Sequence, residues 1–100
     1  MNPTEIHAQQ ETDEEVLHYV REMQDSAPIR VDSIHSYLTK VRRRNITLGH
    51  VSDRMGYLVD RGLLCATTEW VPGEGDVKFY TITADGRDVL DKVIPFPGRK

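Results

Sequence analysis

Apolar side chains in Thr47–Leu64 (TLGHVSDRMGYLVDRGLL) recur with the period of an α-helix. Leu48, Val51, Met55, Leu58 and Val59 fall on one face. The opposite face carries Gly49, His50, Asp53, Tyr57, Asp60 and Arg61, with Arg54 on its flank. Thr47 is placed to cap the N-terminus, and Gly62 stands where a left-handed C-terminal residue is wanted. The pattern predicts a helix over 47–61.

Upstream, Thr12-Asp13-Glu14-Glu15 has the form of a capping box, opening a first helix over 13–25 with Val16, Leu17, Val20 and Met23 inward. Residues 1–11 show no sustained period and are expected to be a disordered lead-in. Ile29-Arg30-Val31 predicts a short strand, and Asp32 a cap for a second helix to about Val41, with Ile34, Leu38 and Val41 inward and Tyr37 at the margin. The turn Arg42-Arg43-Arg44-Asn45 then leads through Ile46, placed to staple against Val51, into helix 47–61. The two helices and their turn make a helix-turn-helix. Downstream, Leu63–Val71 and Val77–Thr83 predict two strands around the turn-forming Pro72–Asp76, hence a β-hairpin. Lys78, Tyr80 and Ile82 share one face of the second strand. Thr83 is the predicted cap of a last helix with Val89, Leu90 and Val93 inward, before a disordered tail at 95–100. The expectation is one α+β domain over 12–94.

Charge changes this picture by its distribution. The net charge of −3 divides into −6 over residues 1–25, +4 over 26–62 and −1 over 63–100. Positive charge is thus concentrated around the helix pair, as an anionic partner there requires. No apolar run is long enough for a membrane span, and the polar N-terminus is unlike a signal peptide, so no membrane partner and a cytoplasmic location are expected. The single Cys65 cannot close an internal disulfide and is expected to pack as a small apolar residue. Trp70 is assigned to core or hairpin packing. His7, His18, His35 and His50 are scattered and form no local zinc pattern with Cys65, so neither a metal nor another cofactor is expected. With no nucleophile–base order and no phosphate-cradling glycine loop, the chain does not look like an enzyme.

Two phrases carry a resemblance. VSDRMGYLVDRGLL resembles the end of the recognition helix in the winged helix-turn-helix superfamily. FYTITADGRDVLD is similar to the segment after the wing in MarR-like and PadR-like regulators, with Tyr80, Ile82, Thr83, Gly86, Arg87 and Leu90 at the matching positions. The resemblance covers roughly residues 13–93 and implies a winged helix-turn-helix: a three-helix core, a small antiparallel β-hairpin wing and a C-terminal helix. It implies a DNA-binding transcriptional regulator, of the minimal kind that phage, plasmid and other prokaryotic genomes carry. The long terminal helices through which such regulators dimerise are not expected here, so the chain is read as a monomer or small homodimer.

In the docking this implies, helix 47–61 enters the major groove of double-stranded DNA. Thr47, His50, Arg54 and Tyr57 then lie nearest the bases, with Arg54 reading guanine or holding a phosphate. Lys40, Arg42, Arg43 and Arg44 contact the backbone, and Lys78 is the contact expected from a wing whose tip carries Glu74 and Asp76. Four neutralising contacts give a log–log salt slope of roughly −3.6. The alternative is a winged-helix protein–protein interaction module without direct DNA reading, favoured by the acidic first helix, the acidic wing tip, and Asp53 and Asp60 on the outer helix face.

Overall fold

Four helices and one hairpin surround a single core in this computed structural model, which describes residues 3–95, with side chains from residue 9 onward. The order is α1 (Pro3–Met23), α2 (Val31–Ser36, continued by a π-helical turn Tyr37–Val41), α3 (Leu48–Asp60), β1 (Leu64–Val71), β2 (Gly75–Ile82) and α4 (Ala84–Leu90). Val16, Leu17, Val20, Ile34, Leu38, Val51, Met55 and Leu58, one stripe from each of α1, α2 with its π turn, and α3, are wholly buried. Leu64, Tyr80 and Ile82 close the core from the hairpin, and Val89 from α4.

α1 departs most from expectation. It runs for 21 residues from Pro3, so much of the segment expected to be disordered is helical. The reason is local: Ala8, Gln9, Gln10 and Glu11 are good helix formers and nothing among them stops the helix. Thr12 is therefore not a cap; it lies mid-helix and, with Asp13, faces inward. Met23, expected inward, is exposed in the last turn. Residues 1–2 and 96–100, the ends of the two expected disordered segments, lie outside the described residues.

The expected short strand shrinks to one bridge between Ile29 and Tyr80. α2 starts one residue before Asp32: Arg30 is the cap position and no side chain caps it. At its far end the Arg42 N–H donates to Tyr37 O, five residues back, at 3.1 Å. The Arg44 N–H reaches Leu38 O at 2.9 Å, and Arg43 between them has φ of 58°. This turn is wider than an α-turn and rotates Val41 away from the core, leaving it 65% exposed rather than inward. Tyr37 stays at the margin, its ring 4.7 Å from that of Tyr19.

α3 follows the sequence closely. The Thr47 hydroxyl accepts from the His50 N–H at 3.1 Å. The helix ends on Gly62 (φ 76°), with the Leu63 N–H on Leu58 O and the Gly62 N–H on Val59 O, the paired bonds of a left-handed helix stop. Of its expected inner face, Leu48 is exposed, being in the first turn and above the core.

The hairpin is tighter than predicted. Val71 pairs with Gly75 across Pro72-Gly73-Glu74, and Leu64 pairs with Ile82 at the core end. This register puts Lys78 on the same face as Tyr80 and Ile82, but beyond the core. Trp70, expected to pack, is 69% exposed, because the outer half of the hairpin has only its own two strands. Cys65 is likewise exposed, since it alternates with the buried Leu64 and faces away.

Thr83 caps α4, its hydroxyl accepting from the Gly86 N–H at 3.0 Å and donating to Gly62 O at 2.6 Å. α4 stops after Leu90 in a left-handed turn at Lys92 (φ 65°), which leaves Val93 outside the core, against expectation.

Candidate nucleic-acid interface

The outer face of α3 borders the arginine turn before it along one groove and the hairpin beyond it along another. Gly49, His50, Ser52, Asp53, Gly56 and Asp60 are exposed along the helix, and Gly49 and Gly56 have open space where a side chain would stand. A groove between the turn, the start of α3 and α1 is lined by Gln9, Thr12, Asn45, Ile46, Thr47 and His50. A second cleft, between α3 and the hairpin, runs from Ser52 and Gly56 to Lys78 and Tyr80.

The expected contact residues divide into two groups. Lys40, Arg43, Thr47, His50 and Lys78 are exposed, and among the described residues Lys40, Arg43 and Lys78 make no ion pair. Arg43 stands in a left-handed backbone position after the π turn, is exposed, and lines the groove beside Thr47 and His50. Arg42, Arg44 and Arg54 are instead engaged by carboxylates of α1. Glu15 accepts from Arg42 Nε at 2.9 Å and from Arg44 Nε at 2.8 Å, and also pairs with Arg44 Nη2. Glu11 lies 3.4 Å from Arg44 Nη2. Asp13 takes Arg54 in a two-point pair, Nε at 2.9 Å and Nη2 at 2.6 Å.

The Asp13–Arg54 pair corrects the expected role of Arg54. Its side chain is only 15% exposed and that of Asp13 only 3%, so the guanidinium is turned into the α1–α3 contact and away from a groove. Burial pushes the Asp13 carboxyl above its usual range, and the Arg54 hydrogen bonds recover only part of that cost. At Glu15 burial also acts upward, but hydrogen bonds from Arg44 and Arg42 outweigh it and hold the carboxyl below its ordinary range. Two guanidiniums lie over the Tyr57 ring, that of Arg54 at 4.4 Å and that of Arg61 at 5.2 Å from its centroid. Arg54 thus orients a half-buried tyrosine on the outer face.

Sequence reasoning missed three participants. Arg61 was placed on the outer face but not among the contacts, although it is exposed and stacks on Tyr57. Arg30 donates to both Glu74 oxygens, at 3.1 and 2.5 Å, tying the hairpin tip to the start of α2. This pair, chiefly through its hydrogen bond, lowers the Glu74 carboxyl and raises Arg30. By sequence Glu15 belongs to a capping box; the signal for its pairing is the acidic run Asp13-Glu14-Glu15, equal in length to the arginine run Arg42-Arg43-Arg44.

No protein-family model and no curated protein matches this chain. Solved structures do. A PadR-like transcription factor from Bacteroides fragilis superimposes with a TM-score of 0.79 at 16% identity, over 93% of this chain and 85% of that one. The chain has the winged helix-turn-helix fold. Bacillus subtilis PadR, in complex with operator DNA, matches with a TM-score of 0.67 at 18% identity, over 88% of this chain and 51% of that one. This winged helix therefore spans about half the length of that PadR. A PadR family transcription regulator from Clostridium difficile R20291 matches with a TM-score of 0.64 at 15% identity, covering 82% and 81% of the two chains. In that fold α3 is the third helix and the β1–β2 hairpin is the wing. Among the described residues no helix is long and apolar enough to cross a membrane, and no three His, Cys, Asp or Glu side chains gather as metal ligands.

Proposed function

We propose that this protein is a sequence-specific DNA-binding transcriptional regulator that places α3 in the major groove of double-stranded DNA. The observation that carries the reading is the exposed outer face of α3 together with three exposed cations that make no ion pair among the described residues: Lys40 and Arg43 before the helix, and Lys78 on the wing across a cleft from Ser52 and Gly56. That the same fold is seen on operator DNA in Bacillus subtilis PadR supports it. His50 and Thr47 at the helix start, and Tyr57 with Arg61 further along, are the groove-facing side chains. Gly49 and Gly56 permit close approach. Arg54 acts from behind, through Tyr57.

Three backbone contacts, from Lys40, Arg43 and Lys78, give a log–log salt slope of about −2.7. Arg43→Gly removes one of these charges while easing a left-handed backbone position. It should weaken binding to every duplex alike, make the slope shallower by about 0.9, and leave the fold as stable or more so. Tyr57→Ala should instead weaken binding to the preferred sequence selectively. Selection of bound sequences from a random duplex pool supplies that sequence, and its symmetry distinguishes one protomer per site from two. If no duplex is bound in a salt-dependent way at low ionic strength, the reading is lost and an interaction module takes its place.

A further inference from the structure

The acids of α1 occupy charges that the fold otherwise delivers to the DNA side of the molecule. Glu15 takes Arg42 and Arg44 together, Glu11 adds to Arg44, and the two arginines flank Arg43, which stays unpaired among the described residues. One carboxylate holds two guanidiniums through charge-assisted Nε–H···O bonds, the kind of bond a backbone phosphate also accepts from arginine. We propose that Glu15, assisted by Glu11, is an internal stand-in for DNA phosphate that withholds Arg42 and Arg44 from the backbone and so sets the affinity. The proposal rests on the DNA-binding reading of the same face.

The physical argument turns on what phosphate contacts do. They add equally to binding at every sequence, so two withheld arginines lower non-specific and specific affinity together. Base contacts along α3 are untouched, and they then supply a larger share of the remaining affinity. Arg42 is half exposed and Arg44 a quarter exposed, so both guanidiniums lie at the surface where an exchange of partners needs only side-chain rotation. Glu15 itself is 14% exposed and anchored on a long helix, which keeps it in place as a competitor.

The test compares Glu15→Gln with Glu22→Gln, which removes the same charge from an exposed position near the other end of α1. Both are measured against the selected duplex and a random duplex between roughly 50 and 200 mM salt. The expected result is binding about tenfold tighter for Glu15→Gln than for Glu22→Gln on both duplexes. Its salt slope should be steeper by about 1.8, two further phosphates at roughly 0.9 each. Unchanged or weaker binding by Glu15→Gln overturns the proposal, and weaker binding makes Glu15 a strut that holds the turn in its binding shape. Thermal unfolding verifies that the variant folds. Should it not fold, Glu11→Gln, at a side chain 66% exposed, decides with a smaller gain of the same sign. Failure of the unaltered protein to bind any duplex removes the DNA reading itself, whereas normal binding without a gain in the variants removes only the phosphate stand-in.

Discussion

At the scale of single residues, two carboxylates of α1, Asp13 and Glu15, hold arginines that belong to α3 and to the turn before it. Asp13 is the more buried, and with Arg54 it forms a pair whose members depend on each other. Arg54→Ala leaves a buried carboxylate without compensation and should cost about 3–5 kcal/mol. Adding Asp13→Ala to it should cost less than the two single changes together, a coupling that urea unfolding of the four proteins measures directly. Glu15 behaves differently with pH because its folded-state carboxyl is held below the ordinary value of 4.5. A lowered folded-state value means that the unfolded chain takes up the proton first. The stabilisation from Glu15 is therefore complete above about 4.5 and is lost as pH falls through the lower folded-state value. The stability gap between the unaltered protein and Glu15→Gln, followed by thermal unfolding from neutral to acid pH, should close over that acid window. The raised Asp13 carboxyl has the opposite sign: its contribution is present below the ordinary value of 3.8 and is lost as pH rises through its folded-state value.

At the scale of elements, each junction is set by a short backbone device. Thr83 fixes the entry to α4 by capping it and by donating to the end of α3, while its N–H donates to Leu63 O. Gly86 follows because α4 crosses the Leu63 strand entry with no room between. A Cβ there would overlap the Leu63 carbonyl oxygen and stand 2.7 Å from Ile82 Cγ1. Gly86→Ala should therefore destabilise by about 1–3 kcal/mol, read as a lower urea midpoint, despite alanine being the better helix former. The wing shows the reverse situation. Beyond Tyr80 it is held by its own ladder and by the Arg30–Glu74 pair, and Trp70 projects into solvent. The indole emission of the folded protein should already be that of a solvated tryptophan and change little on unfolding, while far-ultraviolet circular dichroism reports the full transition. A large blue-shifted emission in the folded state would place Trp70 in the core and contradict this wing.

At the scale of the whole molecule, one core joins every element, and the charge pattern follows from how α1 lies across the others. The −6 of the N-terminal quarter and the +4 of the helix pair are not two separate surfaces. They meet along α1, and much of the positive charge is spent inside the molecule, on Glu15 and Asp13, before any partner arrives. What remains outward is narrower than the composition suggests: Lys40, Arg43 and Lys78 around the outer face of α3, with Arg61 on Tyr57.

The order of elements, the caps at Thr47 and Thr83, the glycine stop at Gly62 and the buried stripes of α1, α2 and α3 are all written in the sequence. They depend on spacing and on residues within one turn of each other, which a linear pattern displays directly. The inner faces failed only at element ends, at Met23, Val41, Leu48 and Val93, where a helix runs past the core it packs on. Trp70 and Cys65 failed because a strand's alternation says nothing of how far the neighbouring layer extends. Which arginine makes no ion pair among the described residues needed more than this. Arg42, Arg43 and Arg44 are identical in type and adjacent in the chain. Only the tertiary structure separates them, by a π-helical turn followed by Arg43 in a left-handed position and an acidic helix, with Glu15 27 residues before Arg42, that claims the other two. Contacts at that separation are decided by packing angle and side-chain reach, which no local pattern records.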